Sequence, residues 1–246
     1  MTSPFLPPNP APSEPRGRLL CVPFAGGGAG IFRSWPAAMP FAHVVPLQLP
    51  GRERRLREAP YTAMGALIDD LAPAVVPLLD RPFAIFGHSM GAAIAFELAR
   101  RLRDLGHVPA HLFLSARRAP GEPPLHPPLF ALPDARLVAE TERLYGPFPD
   151  VLKQHPELLA TFLPTLRADY QLLDTWRPAD APPLTCPLTV LGGKDDHAVP
   201  PEVLEGWRAQ TTGAFRLRIL PGGHFFARDA DDARDVVAAT LAAERP

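Results

Sequence analysis

The sequence predicts an α/β fold, a mostly parallel sheet flanked by helices on both faces. Three observations carry this. Short apolar runs without polar alternation recur along the chain, as strands buried on both faces require. Segments with apolar residues at three-and-four spacing alternate with them, which is the pattern of amphipathic helices. The first apolar run, Arg18 to Pro23, opens directly into a Gly-rich loop, the mark of a buried strand followed by a turn.

That run (RLLCVP) is the first predicted strand, with its loop at Ala25 to Gly30. His43 to Leu47 is the second, and its internal Pro46 suits a sheet edge, where no ladder donor is missed. It leads into Gln48-Leu49-Pro50-Gly51-Arg52. Thr62 to Leu79 is helical by its apolar spacing, although Pro73 and Pro77 leave its C-terminal half open. Phe83 to Phe86 is a third strand, buried on both faces. Ala92 to Leu105 is a strong helix closed by Gly106. Three more strands follow at His111 to Ser115, Leu188 to Leu191 and Phe215 to Leu220, and a last helix at Asp231 to Ala243.

The chain contains 34 prolines, unevenly spread. Those in residues 1–17 predict a disordered Pro-rich lead-in. Residues 18–246 read as a single domain, interrupted at about 117–187 by a Pro-rich insertion. Its helical pieces are Pro133 to Tyr145, Pro156 to Leu166 and Ala168 to Trp176. An insertion at the C-terminal edge of a parallel sheet lies where such sheets bind ligands, so it is expected to act as a lid.

Composition narrows the function. The 25 basic and 26 acidic residues leave a net charge of -1, with no basic patch of the kind that binds nucleic acid. Arg52 to Arg57 (RERRLR) is basic but short, and is expected to be a solvated face or loop. Cys21 and Cys186 each sit in a strand-like apolar stretch and read as buried free thiols. The N-terminus lacks the pattern of a signal peptide, and no apolar run nears the ~18 residues that span a bilayer. A cytoplasmic protein, monomeric and without a membrane partner, is therefore expected. The histidines lack metal-ligand spacing, so no metal is expected either.

Gly87-His88-Ser89-Met90-Gly91 carries the chemistry. The Gly-x-Ser-x-Gly pattern is loose by itself, but here a buried strand precedes it and a helix follows it. This is the nucleophile turn of the α/β-hydrolase fold, where side chains at the two glycines would collide. A serine hydroxyl needs a base at neutral pH. In this fold the order is serine, acid, histidine, with the histidine on the loop after the last strand. His224, in Pro221-Gly222-Gly223-His224-Phe225-Phe226, meets both conditions. His88 is expected only to pack, since its side chain leaves the turn on the opposite side from Ser89. The acid must orient the imidazole, and both Asp195 and Asp196, after the fifth strand, stand in the required place. The oxyanion donors are expected to be the backbone N–H groups of Met90, at the helix start, and Ala25, in the loop after the first strand.

These stretches resemble the type II thioesterases, the stand-alone editing enzymes that accompany polyketide synthases and nonribosomal peptide synthetases. The similarity is carried in order by Cys21 to Gly27, Gln48 to Glu53, Gly87 to Gly91, Leu166 to Tyr170, Gly192 through Asp196 to Val199, and Pro221 to Phe226. The resemblance implies that Asp196 is the acid, completing a Ser89, His224 and Asp196 triad. It also implies that Gln48, Phe24 and Phe225 contact substrate, with Arg52 near the mouth of the site. The implied substrate is a short or aberrant acyl, or misloaded aminoacyl, thioester on the phosphopantetheine arm of an acyl or peptidyl carrier domain. No cofactor beyond that substrate-borne arm is implied. The triad does not itself choose the leaving group, so a carboxylesterase or a fatty-acyl thioesterase on the same fold is the alternative at this point. A non-catalytic binding partner of a synthase is the reading from another class, and intact Ser89, His224 and Asp196 argue against it.

Overall fold

The computed structural model describes residues 3–8, 10–123, 126–229 and 231–244. Among them six strands form one wholly parallel sheet in the order β2-β1-β3-β4-β5-β6. The strands are β1 (Gly17–Val22), β2 (Ala42–Pro46), β3 (Phe83–His88), β4 (His111–Ser115), β5 (Leu188–Gly193) and β6 (Phe215–Leu220). Each lies within two residues of its sequence-predicted place. β3 and β4 are buried along their whole length, whereas β6 alternates half-buried with exposed, as an edge strand with one wet face does. Pro46 ends β2 at the opposite edge.

The helices are α1 (Trp35–Ala38), α2 (Met64–Val75), α3 (Met90–Asp104), α4 (Asp134–Tyr145), α5 (Asp150–Gln154), α6 (Pro156–Asp174), α7 (Phe226–Asp229) and α8 (Asp232–Ala243). α2, α3 and α6 contribute to one apolar core, with Leu71, Ile94 and Leu172 among its buried residues. Trp35, Ala233 and Val237 cover the other face. Pro73 lies within α2 and Pro164 within α6, and both are exposed. A proline there withholds its N–H from a carbonyl that water can satisfy, so neither helix stops. The two helices expected at Pro156 to Leu166 and Ala168 to Trp176 are the single α6, which runs through Arg167 and ends at Asp174.

Two expectations fail on burial. The lead-in is not free at Phe5: the ring is buried, stacks on Tyr61 and lies under the Arg55 guanidinium. Its carbonyl accepts the Gln48 amide at 2.9 Å. A buried phenylalanine contributes about 1.5–3 kcal/mol, enough to offset the ordering of one or two residues. Within the basic stretch, Arg54 and Arg57 are exposed but Arg52 and Arg55 are buried, because each reaches a carboxylate and backbone carbonyls. Cys21 lies in β1, while Cys186 sits in the loop just before β5, and both are buried free thiols.

Strand order reverses between β1 and β3: the chain leaves β1 for β2 on one side and returns to β3 on the other. In such sheets the crevice at this switch point, outside the C-terminal strand ends, is where ligands bind. The loop after β1 and the turn after β3 meet there.

Candidate active site

Ser89 stands between β3 and α3 with φ 54 and ψ -111, outside the regions a side-chain-bearing residue ordinarily adopts. The neighbouring glycines permit this. A Cβ on Gly87 would come 2.0 Å from the Gly91 carbonyl oxygen, and one on Gly91 would come 2.1 Å from that of Val22. The turn is pinned from β4, whose Ser115 carbonyl accepts the Ser89 amide at 2.7 Å. Strain of this kind costs on the order of 1–3 kcal/mol and concentrates at functional sites. Here it lifts the hydroxyl above the sheet.

His224, on the loop between β6 and α7, places its Nε2 2.9 Å from Ser89 Oγ. Its Nδ1 lies 2.8 Å from Asp196 Oδ2. The carboxylate accepts the Nδ1 proton, which leaves Nε2 to accept from the serine hydroxyl. The other Asp196 oxygen accepts the amides of Ala198 and Val199, each at 3.0 Å. The carboxylate is thus fixed on both sides, at 2% exposure against 5% for His224. Asp195 and His197 are exposed, so the choice left open between the two aspartates falls on Asp196 by geometry as well. The acid and histidine loops can touch because β5 ends in glycine: a Cβ on Gly193 would lie 2.6 Å from the Gly222 and Gly223 carbonyl oxygens.

Met90 opens α3, where first-turn amides have no intrahelical acceptor and the helix dipole presents its positive end. In the loop after β1, the Gly26 amide is taken by Asp169 Oδ2 at 2.7 Å. Ala25, immediately before it, is half-buried. Glu53 braces the same loop from outside by accepting the Ala29 and Gly30 amides at 3.1 and 2.9 Å.

The three residues expected at substrate are divided. Phe24 and Phe225 come together, ring centroids 4.9 Å apart, with Phe225 5.3 Å from the His224 ring. Gln48 instead is buried and donates its amide to the Leu49 and Arg52 carbonyls, both at 3.2 Å, so its NH2 braces its own loop. Arg52 forms a buried two-bond ion pair with Asp169, both bonds 2.7 Å. His88 is buried among Phe24, Phe226 and His224, with Nδ1 2.8 Å from Ser115 Oγ. Burial, reinforced by the neighbouring His224, holds its pKa well below the ordinary imidazole value.

Three site residues went unnoticed in the sequence. Ser115 ends an apolar strand with no motif around it. Asp169 lies within a stretch that carried the family resemblance, but nothing local assigned it a partner. Tyr145 ends α4, and its ring lies 4.6 Å from that of His224. Burial pushes the Tyr145 phenol up to about 12, so it stays protonated, with His126 Nε2 3.2 Å from its oxygen. No signal in the sequence ties the end of α4 to this site.

Comparison with known proteins identifies the family. The Thioesterase domain family matches residues 17–244. The gramicidin S biosynthesis protein GrsT of Aneurinibacillus migulanus is 42% identical over 211 residues, covering 85% of this chain and 82% of that protein. RedJ, the thioesterase from the prodiginine biosynthetic pathway in Streptomyces coelicolor, superposes with a TM-score of 0.84 at 39% identity, over 98% of this chain and 92% of its own. The type II thioesterase BorB from the borrelidin biosynthetic cluster does so with 0.84 at 36% identity, over 97% and 96%. A nucleophile turn on a parallel sheet, matched along nearly the whole chain by thioesterases, leads to one conclusion: the chain belongs to the thioesterase family and is a hydrolase of the α/β-hydrolase fold.

Proposed function

We propose that this thioesterase is an editing enzyme: it hydrolyses short or aberrant acyl, or misloaded aminoacyl, thioesters from the phosphopantetheine arms of carrier domains in polyketide or nonribosomal peptide assembly. The observation that carries the chemistry is the unbroken line Ser89 Oγ, His224 Nε2, His224 Nδ1 and Asp196 Oδ2, at 2.9 and 2.8 Å. Similarity to a gramicidin S biosynthesis protein and to thioesterases of the prodiginine and borrelidin systems supports the carrier-bound substrate. The enzyme acts as a monomer, with no cofactor of its own.

Ser89 Oγ attacks the thioester carbonyl carbon while its proton passes to His224 Nε2. Asp196 stabilises the imidazolium and fixes its orientation without taking the proton. The amides of Met90 and Ala25 receive the oxyanion. As the carbon–sulfur bond breaks, His224 returns the proton to the departing thiolate, which leaves as the free arm. Water then attacks the acyl carbon while one of its protons passes to His224 Nε2; the bond from that carbon to Ser89 Oγ breaks, His224 returns the proton to Oγ, and the acid leaves. The segment carrying α4 to α6 is the lid, and Phe24 and Phe225 flank the approach to His224.

The test is hydrolysis of acetyl, propionyl, butyryl, malonyl and aminoacyl groups on a carrier protein, against the same groups on a simple thiol. Faster turnover on the carrier across the panel supports editing. Equal or slower turnover reduces the reading to a general acyl hydrolase.

A further inference from the structure

A cavity of about 330 Å³ lies between the end of β4 and the segment of α4 and α6, with Tyr145, Tyr170, Trp176, Asp174, Arg117 and Arg118 in its wall. Tyr145 joins it to the catalytic histidine, since its ring lies 4.6 Å from that of His224. The proposed mechanism leaves this space and its charge unused.

Arg117 is held close to the nucleophile by the backbone. Ser115, whose carbonyl accepts the Ser89 amide, lies two residues before it. Two peptide units span at most ~7.6 Å between Cα atoms. The chain turns at Ala116 through a left-handed φ of 51°, and Trp207 Nε1 donates to the Arg117 carbonyl at 2.5 Å.

Among the described residues, the Arg117 guanidinium is met by an aromatic ring. Its central carbon lies 5.7 Å from the centre of the Trp176 ring. Its Nε is sealed from solvent without a hydrogen-bond partner. No hydrogen bond or ion pair to another described residue engages the guanidinium. Burial lowers its pKa to about 10, so it is still a cation at neutral pH. The nearby acid does not neutralise it by contact: Asp174 accepts the Leu129 and Phe130 amides at 2.7 and 3.4 Å. Arg118 adds a second positive charge and spends one donor on the Pro123 carbonyl at 2.7 Å. Arg117 is half-buried and its NH groups face the cavity, so the charge is open to a partner that enters there. A planar guanidinium is best met by a carboxylate, through two parallel hydrogen bonds.

We infer that this cavity is a carboxylate subsite of the acyl chamber, and that Arg117 makes carboxyacyl thioesters, the half-thioesters of dicarboxylic acids, substrates of this enzyme. The inference rests on the thioesterase reading above and names a substrate class for it. The pantetheine phosphate is the other anion a substrate would bring. It lies at the far end of the arm, whereas Arg117 stands two residues beyond Ser115, whose carbonyl holds the Ser89 amide, in the wall of a cavity that Tyr145 shares with His224.

The experiment compares kcat/KM for malonyl, succinyl and glutaryl pantetheine with that for propionyl and butyryl pantetheine, in the wild type, Arg117→Gln and Arg117→Lys. The readout is the ratio of carboxyacyl to neutral turnover. Arg117→Gln is expected to lower that ratio about ten- to a hundredfold for the best-fitting chain, the scale of a hydrogen bond to a charged group. Arg117→Lys, which keeps the charge and loses the fork, is expected to fall between. An unchanged ratio overturns the inference, and so does an equal loss on both classes. A ratio that moves only between propionyl phosphopantetheine and propionyl pantetheine assigns the arginine to the phosphate and also overturns it. A second readout is binding of a succinyl pantetheine analogue with methylene in place of sulfur to Ser89→Ala, with and without Arg117→Gln. If the wild type hydrolyses no thioester, the thioesterase reading fails. Arg117-dependent binding of the analogue still decides the subsite.

Discussion

Asp169, on α6, holds Arg52 with both carboxylate oxygens and the Gly26 amide with one of them, all at 2.7 Å. Arg52 in turn donates to the Gly27 carbonyl at 3.2 Å. One carboxylate therefore joins the α6 segment to the loop that carries Ala25, and fixes the backbone next to the proposed oxyanion donor. Removing one member of a buried pair strands the other, at about 3–5 kcal/mol. Asp169→Ala and Arg52→Ala are each expected to lose stability on that scale in urea denaturation. Arg52→Met combined with Asp169→Leu should recover much of it while kcat stays low, since the Gly26 amide has lost its acceptor. Full kcat in the double variant would show that the pair serves stability alone.

The two aspartates after β5 differ in everything but position. Asp196 is buried with His224 and two amides as donors, whereas Asp195 is exposed. Asp196→Asn is expected to lower kcat by several orders of magnitude, because an amide favours the wrong imidazole tautomer. The corresponding change in serine proteases costs ~10⁴. Asp195→Asn should change kcat by less than about twofold, as surface substitutions do. The reverse ranking in steady-state kinetics would move the acid by one residue.

His88 makes stability depend on pH. Burial and His224 hold its folded pKa well below the ordinary value, whereas in the unfolded chain it titrates near ~6.5. Between those two values the unfolded state binds a proton that the folded state does not. Stability is therefore full above ~6.5 and falls as pH drops, by up to about 1.4 kcal/mol per pH unit for one such group. Burial also lowers the pKa of His111, which adds to the slope in the same direction. Urea denaturation between pH 7.5 and 5.5 should show a shallower slope for His88→Gln than for the wild type. Identical slopes would contradict a neutral, buried His88.

The N-terminal anchor is separable from the chemistry. Phe5→Ala removes a buried ring from Tyr61 and Arg55 and is expected to cost about 1.5–3 kcal/mol. No catalytic group touches it, so kcat measured well below the melting transition should be unchanged. A variant as stable as the wild type would mean that the ring adds nothing to the fold.

Most of the fold was legible because its signals are local. Short apolar runs gave β1 to β5, the Arg-alternating run Phe215 to Leu220 gave β6, and the spacing after Ser89 gave α3. The three residues of the proposed triad could be named because fold order restricts where a base and an acid can stand, so each needed only a place relative to a strand end. What escaped depends on contacts distant in sequence. Arg52 read as a surface charge because its partner lies in a different element, and Gln48 read as facing substrate because its bonds to its own loop leave no pattern. Pro73 and Pro77 left the C-terminal half of α2 open, since sequence does not say which face of a helix is wet. Phe5 was lost among prolines, where composition outweighed one aromatic residue.

The central claim, an acyl-enzyme on Ser89, is tested most directly by rapid-quench mass spectrometry after mixing the protein with a propionyl carrier thioester. The account predicts one propionyl group on the peptide containing Ser89 and none on any peptide of Ser89→Ala. Hydrolysis that persists in Ser89→Ala, or an acyl group found on any other residue, would contradict it.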